Sequence, residues 1–301
     1  MTATELPDLQ SQRPGVALGL DRVGITGVRA PMGSIIRIRD GLILQDPLIS
    51  VFVNLPRDQR GIHTSRSYEA LYEVIEEARG SKSRLEEVAE RVARLLLLKH
   101  DYATKSHVRI IGNVLREVKA PKTSKSSFER IRAMVGASGR NEDGNINVSL
   151  SLGTEVWGVT ACPCAQKVIS TLLNNHQNGS YTVTHMQRTL FRASLSPIES
   201  NSVDLLEFAD VVKSGMSAPL FQLLKRIDEA YVVLRAVENP LFVEDTVRII
   251  AHNVATRFTE LPDSTTLQVR VRSIESLHEY NFEAELRSTL GEVRALKRGD
   301  R

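Results

Sequence analysis

The chain has too few cysteines for a disulfide framework. There are two in 301 residues, Cys162 and Cys164, with one proline between them. Covalent staples are therefore excluded, and a fold of this length must rest on a buried core. Long hydrophobic runs are missing too. Leu95 to Leu98 is a typical apolar run, and Lys99 ends it, whereas a bilayer-spanning helix needs roughly 20 such residues. The opening segment, MTATELPDLQSQRPG, holds no apolar stretch and carries acids, so no secretory signal is expected. Charge of one sign is absent: 39 Lys+Arg stand against 36 Asp+Glu, a net of +3, which excludes a whole-chain polycation built for nucleic acid. No glycine-rich phosphate loop of the Walker or dinucleotide type is present. What is there is ordinary: 42% hydrophobic and 25% charged residues. That excludes a disordered chain and suits about two domains. The expectation is a globular, cytoplasmic protein with no membrane and no nucleic-acid partner.

Residues 1–14 read as a flexible polar tail. β-Formers cluster over Val16–Arg29 and Ile35–Val53. From Ser65, the residues Leu71, Val74, Ile75 and Ala78 recur at helical spacing, with Gly80 placed as a stop. A second helix is predicted from Ser83, with Glu86 completing a capping box and Leu85, Val88, Ala89, Val92 and Leu96 as its apolar stripe. Strand patterns return over Val108–Val118, Phe128–Val135 and Ile146–Leu152. In the last, Ile146, Val148, Leu150 and Leu152 alternate with polar residues, the mark of a half-buried strand. A short helix follows Pro163, then a strand over Tyr181–Ser194 and a helix after Ser202. Another helix is predicted after Pro219, with Leu220, Leu223, Leu224, Ile227, Tyr231 and Leu234 on one face. A third starts at Asn239-Pro240, the asparagine as N-cap. Strands over Leu267–Arg272 and Leu277–Leu286 close the pattern. The order suggests two α+β modules in tandem, 15–155 and 156–301, each an antiparallel sheet covered by helices.

The chemistry concentrates in Gly158-Val-Thr-Ala-Cys-Pro-Cys-Ala-Gln166. Pro163 is suited to open a helix, which puts Cys162 at its N-terminus. The partial positive charge there favours a thiolate, which is both a nucleophile and a metal ligand. The same two cysteines equally read as small buried hydrophobes at a turn. His185, His278 and His63 are the histidines nearest to motif-like stretches; taken singly, each reads first as an ordinary surface or core residue. Glu229 lies opposite the apolar stripe of its helix, either on a solvated face or on one turned toward a site or a second subunit. Glu244 sits at the flank of the next helix. Glu275 and His278 sit where the apolar alternation slips from odd to even positions, which demands a bulge or bend. The run Lys119–Arg140 carries six Lys/Arg against one Glu and reads first as a solvated edge hairpin.

Taken together, these stretches resemble the GTP cyclohydrolase IB family, and within it the archaeal methanopterin-pathway branch. The matching segments are Arg22-Val-Gly-Ile, Val53-Asn-Leu-Pro with Arg60-Gly-Ile-His-Thr-Ser-Arg, the Cys162 segment, Thr184-His-Met-Gln-Arg, Leu223-Leu-Lys-Arg-Ile-Asp-Glu-Ala-Tyr-Val-Val, Glu238-Asn-Pro-Leu-Phe-Val-Glu-Asp and Glu275-Ser-Leu-His. They run in the family's order from about residue 20 to 285. The resemblance implies tandem tunnelling-fold modules, with a barrel completed by oligomerisation into a homodimer or homotetramer and active sites at subunit interfaces. It implies a metal site at Cys162, His185, Glu229 and Glu275, holding Fe²⁺ by preference and Zn²⁺ or Mn²⁺ as alternatives. Glu244 falls on the position that anchors the guanine edge, and His63 is placed with it as substrate-binding. Cys162 and His278 are the implied catalytic residues, His278 as the proton donor. Two departures stand out: an insertion at residues 174–180, and Met186 where the family often has asparagine.

The expected activity is opening of the guanine imidazole ring of GTP with release of formate and formation of a 7,8-dihydroneopterin phosphate. A 2′,3′-cyclic phosphate product is favoured over the triphosphate. A non-catalytic purine- or pterin-binding module is the competing class. A nitrile-reducing relative with a nucleophilic cysteine and NADPH is disfavoured by the carried-over Glu229, Glu275 and His185.

Overall fold

The computed structural model describes residues 7–29, 37–38, 42–78, 83–173 and 183–296. The expected helix stop at Gly80, the strand starts at Ile35 and Tyr181 and the 174–180 insertion lie outside them.

Along the chain run β1 (Leu20–Arg29), β2 (Arg37–Ile38), β3 (Leu42–Ile43), β4 (Gln45–Leu55), α1 (Thr64–Ala78), α2 (Leu85–Lys99), β5 (Lys105–Lys119), β6 (Ser126–Glu142) and β7 (Asn145–Ala161). Then come α3 (Pro163–Leu173), β8 (Met186–Ile198), α4 (Leu205–Lys213), β9 (Ala218–Pro219), α5 (Arg226–Glu238), α6 (Val243–Arg257), β10 (Thr266–Ser273), β11 (Phe282–Thr289) and α7 (Leu290–Ala295). This is the α+β class, with antiparallel pairing of β1 with β4, β4 with β5, β8 with β10 and β10 with β11. No helix among the described residues is long and apolar enough to cross a membrane.

The chain divides into two compact units. One comprises Met1–Asn113, Met134–Ser151 and Glu199–Asn201; the other comprises Val114–Ala133, Leu152–Ile198 and Ser202–Arg301. The expected modules, 15–155 and 156–301, follow the sequence, whereas these units interleave it. The cause is strand length. β5, β6 and β7 have 15, 17 and 17 residues, against about 5–6 for a common strand, and each lends a part to both units.

In the first unit the strands follow the order β1-β4-β5-β6-β7. Ile49, Val51 and Val53 alternate inward on β4 and are fully buried, the pattern of a sheet covered on one face. α1 packs beside α2. The predicted stripes supply the core: Leu71, Val74, Ile75 and Ala78 from α1, and Leu85, Val88, Ala89, Val92 and Leu96 from α2, all buried. α2 starts two residues later than expected. Its N-cap is Arg84, whose N–H donates to Glu87 Oε2 at 3.0 Å, so Glu87 rather than Glu86 faces the cap. Residues 7–14 were expected as a loose tail. Instead the Gln10 carbonyl accepts the N–H groups of Arg60 and Gly61, both at 3.1 Å.

The second unit continues with β5-β6-β7-β8-β10-β11, and β9 lies against β7. α6 packs on β10 and β11, and α4 on β8 and α6. Leu267, Val269 and Val271 of β10 and Phe191, Ala193 and Leu195 of β8 form the buried layer under these helices, while Gln268, Arg270 and Arg272 point outward.

Two helix expectations need correction. Residues 220–224 are not helical, and α5 starts at Arg226. Its buried face is Asp228 and Ala236, so the predicted stripe of Ile227, Tyr231 and Leu234 is exposed. The cause is the Asp228 carboxylate, fully buried beneath the β5–β6 turn, where Lys122 and Thr123 donate to it. Asn239 does not cap the following helix: its side chain donates to the Met216 carbonyl at 3.1 Å, and the N-cap of α6 is Phe242.

Candidate functional site

β7 ends at Ala161, and Cys162 occupies the junction with α3. The Cys162 N–H donates to the His185 carbonyl at 3.1 Å, and the Thr184 hydroxyl donates to the Cys162 carbonyl at 2.6 Å. The chain segments before α3 and before β8 are thereby clamped together. The Cys162 sulfur accepts the Ala165 N–H at 3.4 Å, which places it over the first turn of α3, as a helix-capping group would sit. Cys164 is exposed.

The alternation breaks after Ser273 because the chain bends out of the sheet there, and the strand expected from Leu277 begins only at Phe282. Ser273 pairs directly with Phe282, and residues 274–281 form the connection between β10 and β11. The Ile274 N–H donates to the Arg188 carbonyl at 2.9 Å, so the connection leaves the sheet beside the start of β8. It carries Glu275, Ser276 and His278. His185 Nδ1 lies 3.2 Å from the Ser276 hydroxyl, and the Ser273 hydroxyl donates to Glu275 Oε1 at 2.6 Å. The His278 ring stacks on Tyr280 with centroids 4.9 Å apart. The Leu241 N–H donates to the Ala161 carbonyl at 3.0 Å, which draws the α5–α6 connection, and with it Glu244 in the first turn of α6, to the same place.

A cavity of about 330 Å³ results, lined by Cys162, His185, Gln187, Glu244, Glu275 and His278 among polar residues, with Leu241, Phe242, Val243 and Phe282 as apolar walls. Five of the residues singled out in the sequence therefore share one cavity. Glu229 and His63 do not line it. Glu229 is exposed on α5. The side chain of Gln166, in α3, donates to the Val237 carbonyl at 2.7 Å, and Glu229 lies eight residues back along the helix, roughly 12 Å of axial rise. His63 belongs to the first unit, where its Nε2 lies 3.3 Å from both Asp8 carboxylate oxygens. A larger cavity, about 820 Å³, is lined by Asp245, Arg248, His252, Asn253 and neighbours and holds none of the singled-out residues.

The donor set suits a divalent cation. Cys162, His185 and Glu275 offer sulfur, imidazole nitrogen and carboxylate oxygen, a mixture that accepts Zn²⁺ or Fe²⁺. Two of the three are oriented by a second contact that leaves another atom available: Ser276 takes His185 Nδ1, and Ser273 takes Glu275 Oε1. Outer partners of this kind fix the orientation of metal ligands. As the side chains stand, no three His, Cys, Asp or Glu among the described residues are gathered closely enough to hold an ion.

Sequence reasoning passed over Ser273 and Ser276, which carry no signal beyond neighbouring Glu275. It noted Gln187 only as part of a motif. The Gln187 side-chain N–H donates to the Thr160 hydroxyl at 3.1 Å, and the Thr160 and Thr189 hydroxyls are 2.7 Å apart.

A family model described as type I GTP cyclohydrolase folE2 matches residues 6–284. A protein named GTP cyclohydrolase MptA from Methanocaldococcus jannaschii is 35% identical, over 95% of this chain and 96% of its own length. One of the same name from Methanococcoides burtonii is 37% identical, over 96% of each. Among solved structures, the uricase of Bacillus fastidious superposes with a TM-score of 0.55 at 7% identity, over 91% of this chain and 94% of its own. The uricase of Arthrobacter globiformis gives 0.53 at 11% identity, over 96% and 98%. At such identities the likeness concerns the fold alone, a tandem tunnelling-type architecture.

Proposed function

The chain belongs to the type I GTP cyclohydrolases of the folE2 kind, and from that membership we propose how its cavity performs the reaction. The protein is a GTP cyclohydrolase of pterin biosynthesis. What carries the assignment of the site is the meeting of Cys162, His185, Glu244, Glu275 and His278 around one cavity.

Cys162, His185 and Glu275 would hold a divalent cation once their side chains turn toward one another, with Fe²⁺ favoured and Zn²⁺ or Mn²⁺ as alternatives. Such a cation would supply Lewis acidity and bring the pKa of water toward neutrality. Glu229 would complete the set from α5 of a second copy, which makes the working form a homo-oligomer, dimer or tetramer. Glu244 accepts the guanine N1–H and one 2-amino N–H in parallel, a pairing suited to a carboxylate. His278 gives a proton to guanine N7, which makes C8 electrophilic toward water. The stacked Tyr280 ring holds the imidazole in place. Addition of one water at C8 breaks the first C8–N bond and opens the ring to a formamide; a second water breaks the remaining C8–N bond and formate leaves, freeing the amine. The ribose carbons then rearrange to a carbonyl and close on the diaminopyrimidine with loss of one water. His63 contacts substrate from its own motif.

The MptA-named relatives support the archaeal methanopterin branch, hence action in the cytoplasm and a 7,8-dihydroneopterin 2′,3′-cyclic phosphate product, formed as the neighbouring side-chain hydroxyl closes on the α-phosphorus and pyrophosphate leaves. The test is anaerobic protein incubated with GTP and Fe²⁺, Mn²⁺ or Zn²⁺ in turn, with formate assayed and the pterin weighed by mass spectrometry. Formate with a cyclic phosphate is expected. A pterin retaining all three phosphates gives the alternative product. No formate with any cation overturns the cavity as the reaction site.

A further inference from the structure

Gln187, which lines the cavity, carries an acceptor with no partner among the described residues. Gln187 Oε1 is buried and has no hydrogen-bond partner, although buried polar atoms are satisfied in the great majority of cases. The other end of the amide meets a buried threonine pair. Its N–H is held by the Thr160 hydroxyl at 3.1 Å, which is itself 2.7 Å from that of Thr189, and both threonines are fully buried. A hydroxyl donates as well as accepts, so a turned amide would keep Thr160 through its oxygen and leave its N–H₂ unpaired; in either setting one polar end of Gln187 lacks a partner. In the setting of the structure that end is the carbonyl oxygen, on a residue that lines the cavity.

Gln187 is the second residue of β8, two beyond His185; both line the cavity, and Gln187 is the one that touches the buried threonine pair. The other lining acceptors have work already. Glu275 is engaged by Ser273 and assigned to the cation, and His185 Nδ1 is engaged by Ser276. Guanine brings three donors on one edge, N1–H and two N–H bonds of the 2-amino group. A carboxylate takes two of them side by side. The third has no acceptor unless the site supplies one, and leaving it unpaired once the base has given up its water costs affinity.

We infer that Gln187 is a specificity-determining residue whose Oε1 accepts the remaining N–H of the guanine 2-amino group, so that the cavity selects purine triphosphates that carry this amine. The inference rests on Glu244 as the guanine anchor. A site built to hydrogen-bond a substrate group rejects the analogue lacking it far more strongly than an apolar pocket does, because its own polar atom is then stranded.

The test uses the metal-loaded full-length enzyme, the KM for GTP, and the inhibition constant of ITP, a competitor that lacks only the 2-amino group. In the wild type, ITP should bind at least about tenfold more weakly than GTP. Gln187→Met should raise the GTP value by about tenfold and leave that of ITP nearly unchanged. Gln187→Glu keeps an acceptor oxygen and should retain the wild-type ratio. A wild-type ratio near one overturns the inference without any variant. So does a Gln187→Met protein that shifts GTP and ITP by the same factor, the signature of general damage. Glu244→Ala separates the two claims. If it weakens GTP while Gln187→Met does not split the ligands, only Gln187 is misassigned. If it changes neither ligand, the guanine does not sit in this cavity.

Discussion

The N–H of Cys162 donates to the carbonyl oxygen of His185 at 3.1 Å. A single backbone hydrogen bond thus ties two candidate metal ligands that lie 23 positions apart in the chain. The thiol and the imidazole are held on adjoining strand ends, with α3 leaving from one and β8 entering from the other. The backbone of these two donors is thereby fixed where β7 ends and β8 begins, as a site of defined geometry needs.

Removing the sulfur should abolish turnover without unfolding the protein. Cys162→Ala is expected to lose bound metal and formate release while its thermal melt stays close to wild type, because Cys162 is only partly buried. Ser276→Ala gives a graded counterpart. It deletes the hydroxyl at His185 Nδ1, and loss of such an outer partner weakens metal affinity by about 10–100-fold. Metal content by mass spectrometry and competition with a chelator check both. Normal affinity in Ser276→Ala would show that the hydroxyl does not orient a ligand.

The sequence showed where the one-sided elements lie and little of where they end. Leu71 to Ala78 and Leu85 to Leu96 were legible because each helix buries one stripe and wets the other. β7 was legible only to Leu152, since beyond it Thr154, Glu155 and Val156 are buried in succession and alternation vanishes when both faces of a strand are covered. The β6–β7 turn had a local signature in Asp143-Gly144, both at positive φ, as a two-residue hairpin of this kind requires. α5 misled because the rule that apolar residues point inward fails there. The buried position is Asp228, and the apolar stripe faces out. Cys162, His185, Glu244, Glu275 and His278 could each be singled out, but only the resemblance joined them into one candidate site, since no spacing rule does. Gln187 and Ser276 were not, because an orphaned oxygen or a hydroxyl behind a histidine exists only once the chain has folded.

Glu229 provides a test of the assembly. Within one chain it stands on an exposed helix face away from the cavity, so Cys162→Ala and Glu229→Ala should damage different subunits' contributions to the same site. Each variant alone should be inactive. Mixed, partly dissociated and reassociated, the two should regain activity, because some sites then receive Cys162 from one copy and Glu229 from the other. Formate release after mixing is the measurement. No recovery, with subunit exchange shown by mass, would remove Glu229 from a shared site.

His100 makes the first unit sensitive to mild acid. It is fully buried, with Nε2 3.0 Å from the Ser67 hydroxyl and Nδ1 2.8 Å from that of Tyr102. Burial, and then the nearby charge of Arg66, brings its pKa down to about 4, from the 6.5 of an unperturbed imidazole. Burial also lowers His107. The unfolded chain therefore binds protons near pH 6.5 that the folded chain refuses. Stability should be full above about pH 6.5 and fall steadily toward pH 4. Thermal melts across that range check it, and His100→Gln should flatten the slope. A melting temperature constant from pH 7 to 4.5 would contradict the assignment.

Asp228 should matter to the helix that carries Glu229. Its Oδ1 accepts the N–H groups of Lys122 and Thr123 at 2.8 and 2.9 Å, and its Oδ2 accepts the Thr123 hydroxyl at 2.6 Å and the Lys225 N–H at 3.0 Å. Burial pushes its carboxyl up, but the donors from Thr123, Lys225 and Lys122 outweigh burial and hold it well below the usual carboxylate range. A depressed acid of this kind contributes its stabilisation above the unfolded pKa and loses it only as pH falls through the folded one, so the lock is intact at neutral pH. Asp228→Ala strands four donors, three of them backbone, and Asp228→Asn turns an N–H₂ toward donors that need an oxygen. Both variants should melt at lower temperature. Both should also become open to trypsin at Lys122 and Lys125, which lie in the turn that the carboxylate pins to α5. Asp228→Asn retaining wild-type melting and trypsin resistance would mean that the turn is held by something other than this carboxylate.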